Sequence, residues 1–375
     1  MTSKPLFTFA LASTLSIVLS QGCAAQLALE ERACPCAEGW TCCPSRNVCV
    51  GPGESCGSGL GALGPDGGGD VSLGPIGAQN PYELATAQST RCMTSAGDYV
   101  YWQNADGLVV GAPRNGGAFK VSQFRTPLAD NPKCSLAVEG DTLFTTSYSI
   151  GKVVELSLRT NGEWHIGGMG SLYGDLTTPS SLALTKDAVI VTEHEAGRVT
   201  LVPRSRAAAV VLADGLVRPD NVKVYTSSRG TFAYFVERGT SGEKNGTLKR
   251  VDVDTARVTH TVETLASGLD GPASPVAVDG RIYFRAGRTL LSVPLDGGTP
   301  ETVLGDRAGL SFGSLALVSD GNHLFVPRDS GIARVSRDGK DVVDLYPRTS
   351  MAYVLGVDDG RIFWADSASV FTATK

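Results

Sequence analysis

The chain has 375 residues, of which 42% are hydrophobic and 19% are charged, and its formal net charge is −5. This composition is ordinary for a folded protein, and the length allows one large domain with a small appendage. A negative net charge without a cluster of Lys or Arg argues against a nucleic-acid partner, because that attraction needs concentrated positive charge.

The first 22 residues have the pattern of an export signal. Lys4 precedes an uncharged, apolar run over residues 6–19, which is shorter than the about 20 residues that a permanent membrane helix needs. The run ends at Gly22-Cys23, and this junction resembles the lipobox of bacterial lipoproteins, whose cysteine carries the lipid. The resemblance implies that residues 1–22 are removed, that Cys23 is acylated, and that the protein is held at the cell envelope by this anchor alone. Plain secretion is the alternative.

A cysteine-rich segment follows the short mature N-terminus of residues 23–33. Its six cysteines are Cys34, Cys36, Cys42, Cys43, Cys49 and Cys56. Residues 34–56 are too few to bury an apolar core, so we predict a disulfide-stapled knot. Zinc is the alternative, but the segment contains no Cys-x-x-Cys pair. The run Gly-Trp-Thr-Cys-Cys-Pro at 39–44 resembles half of a granulin-type module, which implies disulfides without specifying their pairing. Residues 57–81 are glycine-rich and predict a linker.

One short pattern recurs through residues 82–375. Each unit has a β-type strand centred on an aromatic or branched residue, and these residues follow one another at intervals of 38 to 49 positions: Tyr101, Phe144, Ile190, Tyr234, Tyr283, Phe325 and Phe363. A shorter strand with a mostly small middle residue precedes six of them, as in residues 135–138 and 314–317. A third strand follows, and in several units it ends in Asn-Gly or Asp-Gly, the residues that tight turns favour.

This repeat predicts an all-β fold. A unit of about 40 residues cannot cover both faces of its sheet, so the units must pack side by side into a closed ring. We predict one β-propeller with seven blades, with six or eight as alternatives. The last unit ends after its third strand, and residues 82–88 are placed to supply the fourth. Cys92 and Cys134 precede equivalent inner strands, which predicts a disulfide, with two buried free thiols as the alternative.

Several strands carry a more specific signature. Val100-Tyr101-Trp102, Ile282-Tyr283-Phe284 and Phe363-Trp364-Ala365-Asp366 resemble the strands of YWTD-type, TolB-like and NHL-like propellers. The resemblance implies the propeller fold. It implies little about function, because such propellers serve as binding platforms, enzymes and lids.

Candidate chemistry is sparse. The four histidines form no ligand-spaced pair, and we interpret Glu193-His194-Glu195 as an exposed polar turn rather than a catalytic or metal cluster. Asp220 and Asn221 lie at the entrance of an inner strand and could offer oxygen ligands, as in a lactonase-like propeller, but Lys223 places a positive charge beside them. These three residues are our candidate ligand contacts at the mouth of the channel.

The sequence therefore favours a monomeric binding module without a cofactor, directed at an extracellular protein, glycan or small molecule. A structural role in the envelope is compatible with the same pattern. The alternative from another class is a hydrolase that uses calcium or another divalent cation in the propeller channel.

Overall fold

The computed structural model describes residues 41–43, 48–50, 81–86, 88–116, 119–125, 133–160, 162–240, 242–254, 260–310, 316–329, 331–346, 352, 354–366 and 368–375. The chain divides into two compact units, Met1–Ala62 and Leu63–Lys375. In the first unit, strands β1 (Thr41–Cys43) and β2 (Val48–Val50) pair antiparallel. The signal, Cys23 and the cysteine pairings predicted within residues 34–56 lie outside what the structure describes.

The second unit is made of β-strands. In chain order their bounds are β3 (Tyr82–Ala85), β4 (Cys92–Ala96), β5 (Tyr99–Gln103), β6 (Leu108–Pro113), β7 (Lys120–Arg125), β8 (Leu136–Glu139), β9 (Thr142–Ser147), β10 (Lys152–Thr160), β11 (Glu163–Tyr173), β12 (Pro179–Leu184), β13 (Ala188–Glu193), β14 (Arg198–Pro203), β15 (Val210–Ala213), β16 (Pro219–Ser227), β17 (Gly230–Glu237), β18 (Gly246–Asp252), β19 (Val262–Leu269), β20 (Ala273–Val278), β21 (Arg281–Ala286), β22 (Thr289–Pro294), β23 (Glu301–Leu304), β24 (Val318–Ser319), β25 (His323–Arg328), β26 (Gly331–Ser336), β27 (Val342–Asp344), β28 (Val354–Val357), β29 (Arg361–Ala365) and β30 (Val370–Thr374).

These strands form four-stranded antiparallel sheets, which we number as blades. Blade 1 is β4–β7, blade 2 is β8–β11, blade 3 is β12–β15, blade 4 is β16–β19, blade 5 is β20–β23, blade 6 is β24–β27, and blade 7 combines β28–β30 with β3. The first strand of each blade contacts the first strand of the next, and β28 contacts β4. The ring therefore closes, and the predicted seven-bladed β-propeller is confirmed.

Helical structure is minimal in the described part of the second unit. One 3-10 turn covers Asp306–Ala308. Among the residues that the structure describes, none belongs to a helix that is long and apolar enough to cross a bilayer.

The two ends of the propeller chain meet in blade 7. Strand β3 pairs antiparallel with β30, with Tyr82 opposite Thr372 and Ala85 opposite Val370. The indole nitrogen of Trp102 donates to Gln88 Oε1 at 3.0 Å, which ties the segment after β3 to blade 1. As predicted, β3 completes the last sheet, and it covers an edge that would otherwise be open for pairing with another chain.

The core lies between the blades. Within the described residues there are seven clusters of buried apolar side chains, one at each interface between neighbouring blades. Strand β5 shows how one strand serves two of them: Val100 and Trp102 pack against blade 7, and Tyr101 packs against blade 2. Alternate side chains of a strand point to opposite faces, so both faces of each sheet are buried.

The inner hairpins have a nearly constant length, and this corrects one predicted strand. In six blades the central aromatic or branched residue of the second strand pairs with the inner-strand residue seven positions before it. Ala137 with Phe144 and Gly356 with Phe363 are examples. In blade 6, Val318 therefore pairs with Phe325. The prediction of an inner strand at residues 314–317 is wrong for Ala316 and Leu317, because it followed the similarity of Ser-Leu-Ala-Leu to other units instead of the turn length. Residues 314 and 315 lie outside what the structure describes.

Candidate binding site at the channel mouth

A cavity of about 330 Å³ lies where the inner strands begin, at one end of the ring's axis. Asp220, Asn221 and Lys223, the three residues predicted from the sequence, all line it. The ladder between β16 and β17 is interrupted between Asp220 and Lys223. Such a bulge redirects side chains, which places this short stretch at the rim of the cavity.

Asp220 is buried and its two carboxylate oxygens are both used. Oδ2 forms an ion pair with Lys133 Nζ at 3.0 Å, and Oδ1 accepts a hydrogen bond from the Asn221 N–H at 2.9 Å. Burial lowers the pKa of Lys133, and the adjacent Asp220 carboxylate partly offsets this effect. The Lys133 ammonium therefore compensates the negative charge of the Asp220 carboxylate.

His194 belongs to the same cluster. Its side chain is only 11% exposed, and Lys133 Nζ lies 2.8 Å from Nδ1 and 2.9 Å from Nε2. Burial and the adjacent Lys133 ammonium both lower the pKa of His194, which favours the neutral imidazole. The prediction of an exposed turn is therefore wrong for His194, and it fits only Glu195.

Glu193 has a structural role that recurs in the next blade. Its buried carboxylate accepts hydrogen bonds from the Thr177 N–H at 2.6 Å and from Thr200 Oγ1 at 2.5 Å. Glu237 does the same with the Val217 N–H at 2.7 Å and with Thr247 Oγ1 at 2.8 Å. Both carboxylates join the end of a second strand to the loop that enters the blade.

Asn221 is among the described side chains that tie neighbouring inner strands together. Ser135 Oγ accepts from the Leu182 N–H at 3.1 Å, and Ser181 Oγ accepts from the Val222 N–H at 2.9 Å. Asn221 Oδ1 accepts from the Ser274 N–H at 3.1 Å. Asn221 has a φ of 51°, in the left-handed region that asparagine tolerates better than most residues. Its amide oxygen is therefore engaged in the scaffold.

Lys223 projects into the channel. The inner strands surround it, yet its side chain reaches solvent through the opening. Desolvation by these strands lowers the pKa of Lys223. Arg91 and Arg238 line the same cavity. Among the described residues, no carboxylate lies within ion-pair distance of these three cations.

The mouth therefore carries an excess of positive charge. Its described lining contains four cationic side chains and the single carboxylate of Asp220, which gives +3 in a chain whose total is −5. The Nε of Arg91 is buried without a hydrogen-bond partner among the described groups. Buried donors without partners are unusual in proteins.

A hard cation fits this lining poorly. Calcium takes six to eight oxygen ligands, whereas the described lining offers one carboxylate that Lys133 already neutralises. In the part of the chain that the structure describes, no three His, Cys, Asp or Glu side chains are grouped as metal ligands.

The Cys92–Cys134 disulfide lies in the wall of the cavity. The two Cα atoms are 5.8 Å apart, and the bond joins the entrances of the inner strands of blades 1 and 2. The structure thus contains the predicted bond rather than two free thiols. Arg91 and Lys133 each directly precede one of these cysteines.

The predicted contacts did not include the cationic lining residues Arg91, Lys133 and Arg238, nor His194, which contacts Lys133. The sequence contains a signal for all of them. Arg91 and Lys133 occupy the same position before equivalent cysteines, while His194 and Arg238 each follow the buried glutamate that ends a second strand. Equivalent positions in a ring of repeats meet at the same end of the axis.

Comparison with known proteins supports the fold and no narrower assignment. No protein-family model matches the chain, and no curated protein sequence matches it. Hydrazine synthase from Kuenenia stuttgartiensis is structurally similar, with a TM-score of 0.60 and 11% identity over 80% of this chain and 99% of that one.

Two further solved structures are similar. The WD40 β-propeller domain of Doa1 has a TM-score of 0.57 and 15% identity over 79% of this chain and 97% of its own. A chain of the nidogen–laminin complex has a TM-score of 0.50 and 17% identity over 69% of this chain and 97% of its own. At these identities the likeness concerns the fold. The closed ring and these similarities together identify the chain as a seven-bladed β-propeller.

Proposed function

We propose that this protein is a binding module whose ligand site is the cationic mouth of the propeller channel. The observation that carries the proposal is the set of three cations, Arg91, Lys223 and Arg238, which line one cavity without an anionic partner among the described residues. Such a site attracts an anionic group of an extracellular small molecule, glycan or protein.

The scaffold supports binding more than catalysis. Asp220 and Lys133 neutralise each other, Asn221 Oδ1 ties two blades, and each carboxylate oxygen of Glu193 accepts a hydrogen bond. These groups hold the mouth in shape. The guanidinium groups of Arg91 and Arg238 present planar arrays of donors that match a carboxylate, sulfate or phosphate group.

The site can be tested by calorimetric titration of the full chain with sulfate, acetate and octanoate at constant ionic strength. We expect at least one of these anions to bind at a single saturable site. The double variant Lys223→Gln/Arg238→Gln should bind that anion at least about tenfold more weakly, because each lost charged hydrogen bond contributes about 1.5–3 kcal/mol.

A matched control removes the same charge elsewhere. Lys186 and Lys340 lie in exposed turns at the opposite end of the blades, so Lys186→Gln/Lys340→Gln should bind like the wild type. Equal affinities in the wild type and the Lys223/Arg238 variant, or no binding of any of the three anions, would contradict the proposal. A rise in melting temperature with calcium that requires Asp220 would favour the metal-dependent hydrolase instead.

We also propose that the protein acts outside the cytoplasm, anchored through an acylated Cys23. The Cys92–Cys134 bond supports this location, since disulfides persist in oxidising compartments. Mass spectrometry of the mature protein should show an N-terminal Cys23 with the added mass of acyl chains, and Cys23→Ser should move the protein from the membrane fraction to the soluble fraction. An unmodified Cys23 thiol would overturn the anchor.

A further inference from the structure

The cavity at the mouth has two chemically different sides. The cationic and hydroxyl-bearing side chains come from blades 1 to 5, with Arg91, Lys133, Lys223 and Arg238 in blades 1, 2 and 4 or at their entrances. The opposite wall is apolar. Blades 6 and 7 contribute five aliphatic residues and no charge to the described lining: Ala316, Leu317, Val318, Val354 and Leu355.

The apolar wall is a fixed part of the fold. Leu317 is packed into the core between blades 5 and 6, and Leu355 into the core between blades 6 and 7. Val354 is half-buried, and it packs against the core between blades 7 and 1. The wall therefore keeps its position when the cavity is filled. Leu317 is only 3% and Leu355 only 5% exposed, so the apolar surface that a ligand removes from water belongs to the half-buried Ala316, Val318 and Val354.

The size of the cavity limits the ligand. A volume of about 330 Å³ lies at the small end of the range for small-molecule sites, which begins at about 300 Å³. A purely inorganic anion would leave the apolar wall wet, and a neutral hydrocarbon would leave the cations without a partner. A molecule with one anionic end and an apolar body satisfies both sides.

We infer that the mouth binds a small organic anion whose charged head lies against blades 1 to 4 and whose apolar body lies against blades 6 and 7. This inference rests on the proposed function and specifies its ligand class. The head interacts with Arg91, Lys223 and Arg238, and the body contacts the wall that includes Val354.

The same calorimetric titration tests the inference through the ratio of affinities. Octanoate should bind at least about tenfold more tightly than acetate, because burial of only two methylene groups is sufficient for that ratio. Octanamide, which has nearly the same body without the charge, should bind at least about tenfold more weakly than octanoate.

A variant of the apolar wall tests the contribution of the apolar contacts independently of the cationic ones. Val354→Thr should weaken octanoate while leaving the affinities for acetate and sulfate unchanged. Val211→Thr is the matched control, because Val211 is 47% exposed on an outer strand, and it should leave all affinities unchanged. Melting temperatures of both variants establish that they are folded.

Each outcome is decisive. If acetate and sulfate bind as tightly as octanoate with the same dependence on Lys223 and Arg238, the apolar body is irrelevant, and this inference fails while the proposed function stands. If octanamide equals octanoate, the anionic head is irrelevant, and the inference fails. If none of the anions binds, both proposals fail.

Discussion

Replacement of Cys92 and Cys134 with alanine is expected to lower the free energy of unfolding by roughly 4 kcal/mol. The bond links residues 42 positions apart. In the chain-entropy model a cross-link of this span restricts the unfolded chain by about that amount. Urea unfolding of the wild type and the double variant, followed by circular dichroism, measures the difference.

Single variants provide the control. Because the bond requires both sulfur atoms, Cys92→Ala alone should lose nearly as much stability as the double variant, and Cys134→Ala should do the same. Additive losses, or a double variant within about 1 kcal/mol of the wild type, would show that the two cysteines stabilise the fold only by packing.

Trp364→Ala is expected to lower the free energy of unfolding by about 3–5 kcal/mol, because it opens a cavity in a closed interface. Trp364 is completely buried between blades 6 and 7. Its ring stacks on Tyr346 with centroids 5.0 Å apart and on Phe371 with centroids 5.4 Å apart. Chemical denaturation with tryptophan fluorescence as the signal measures the loss, since Trp40, Trp102 and Trp164 remain.

Trp364→Phe is the matched variant. The indole N–H of Trp364 has no hydrogen-bond partner among the described groups, so phenylalanine removes an unsatisfied donor and keeps an aromatic ring in the stack. We expect a loss of no more than roughly half that of the alanine variant. Equal losses in the two variants would show that the interface depends on the full indole and that ring stacking alone is not sufficient.

The propeller was predictable because its signals are local and repeated. Val100, Tyr101 and Trp102 alternate between two interfaces, and the same alternation recurs in every unit. Residues 82–88 were recognisable as the missing outer strand, because the last unit contains only three strands. A sheet with two apolar faces has few ways to cover both, which restricts the units to a ring.

The inner strands were harder to place. In six blades the aligned second-strand residue pairs with an inner-strand residue that precedes it by seven positions. In blade 4 the separation is eleven, because Lys223 pairs with Tyr234. Sequence similarity among short apolar tetrapeptides misplaced the inner strand of blade 6. Hairpin length decides register, and a turn such as Ser319–His323 is fixed by the hydrogen bonds that Asp320 accepts from Asn322 and His323.

The sequence by itself determined the repeated β-unit and the alternation of buried side chains, and it placed Asp220, Asn221 and Lys223 at the channel mouth. It favoured seven blades over six or eight, and the closed ring of the structure decided that number. Only the tertiary structure showed that Lys133 neutralises Asp220, that Asn221 joins two blades, and that Arg91 and Arg238 share a cavity with Lys223. The reason is physical. Burial follows a period of two along each strand, whereas the charge at the mouth depends on which distant residues the closed ring brings together.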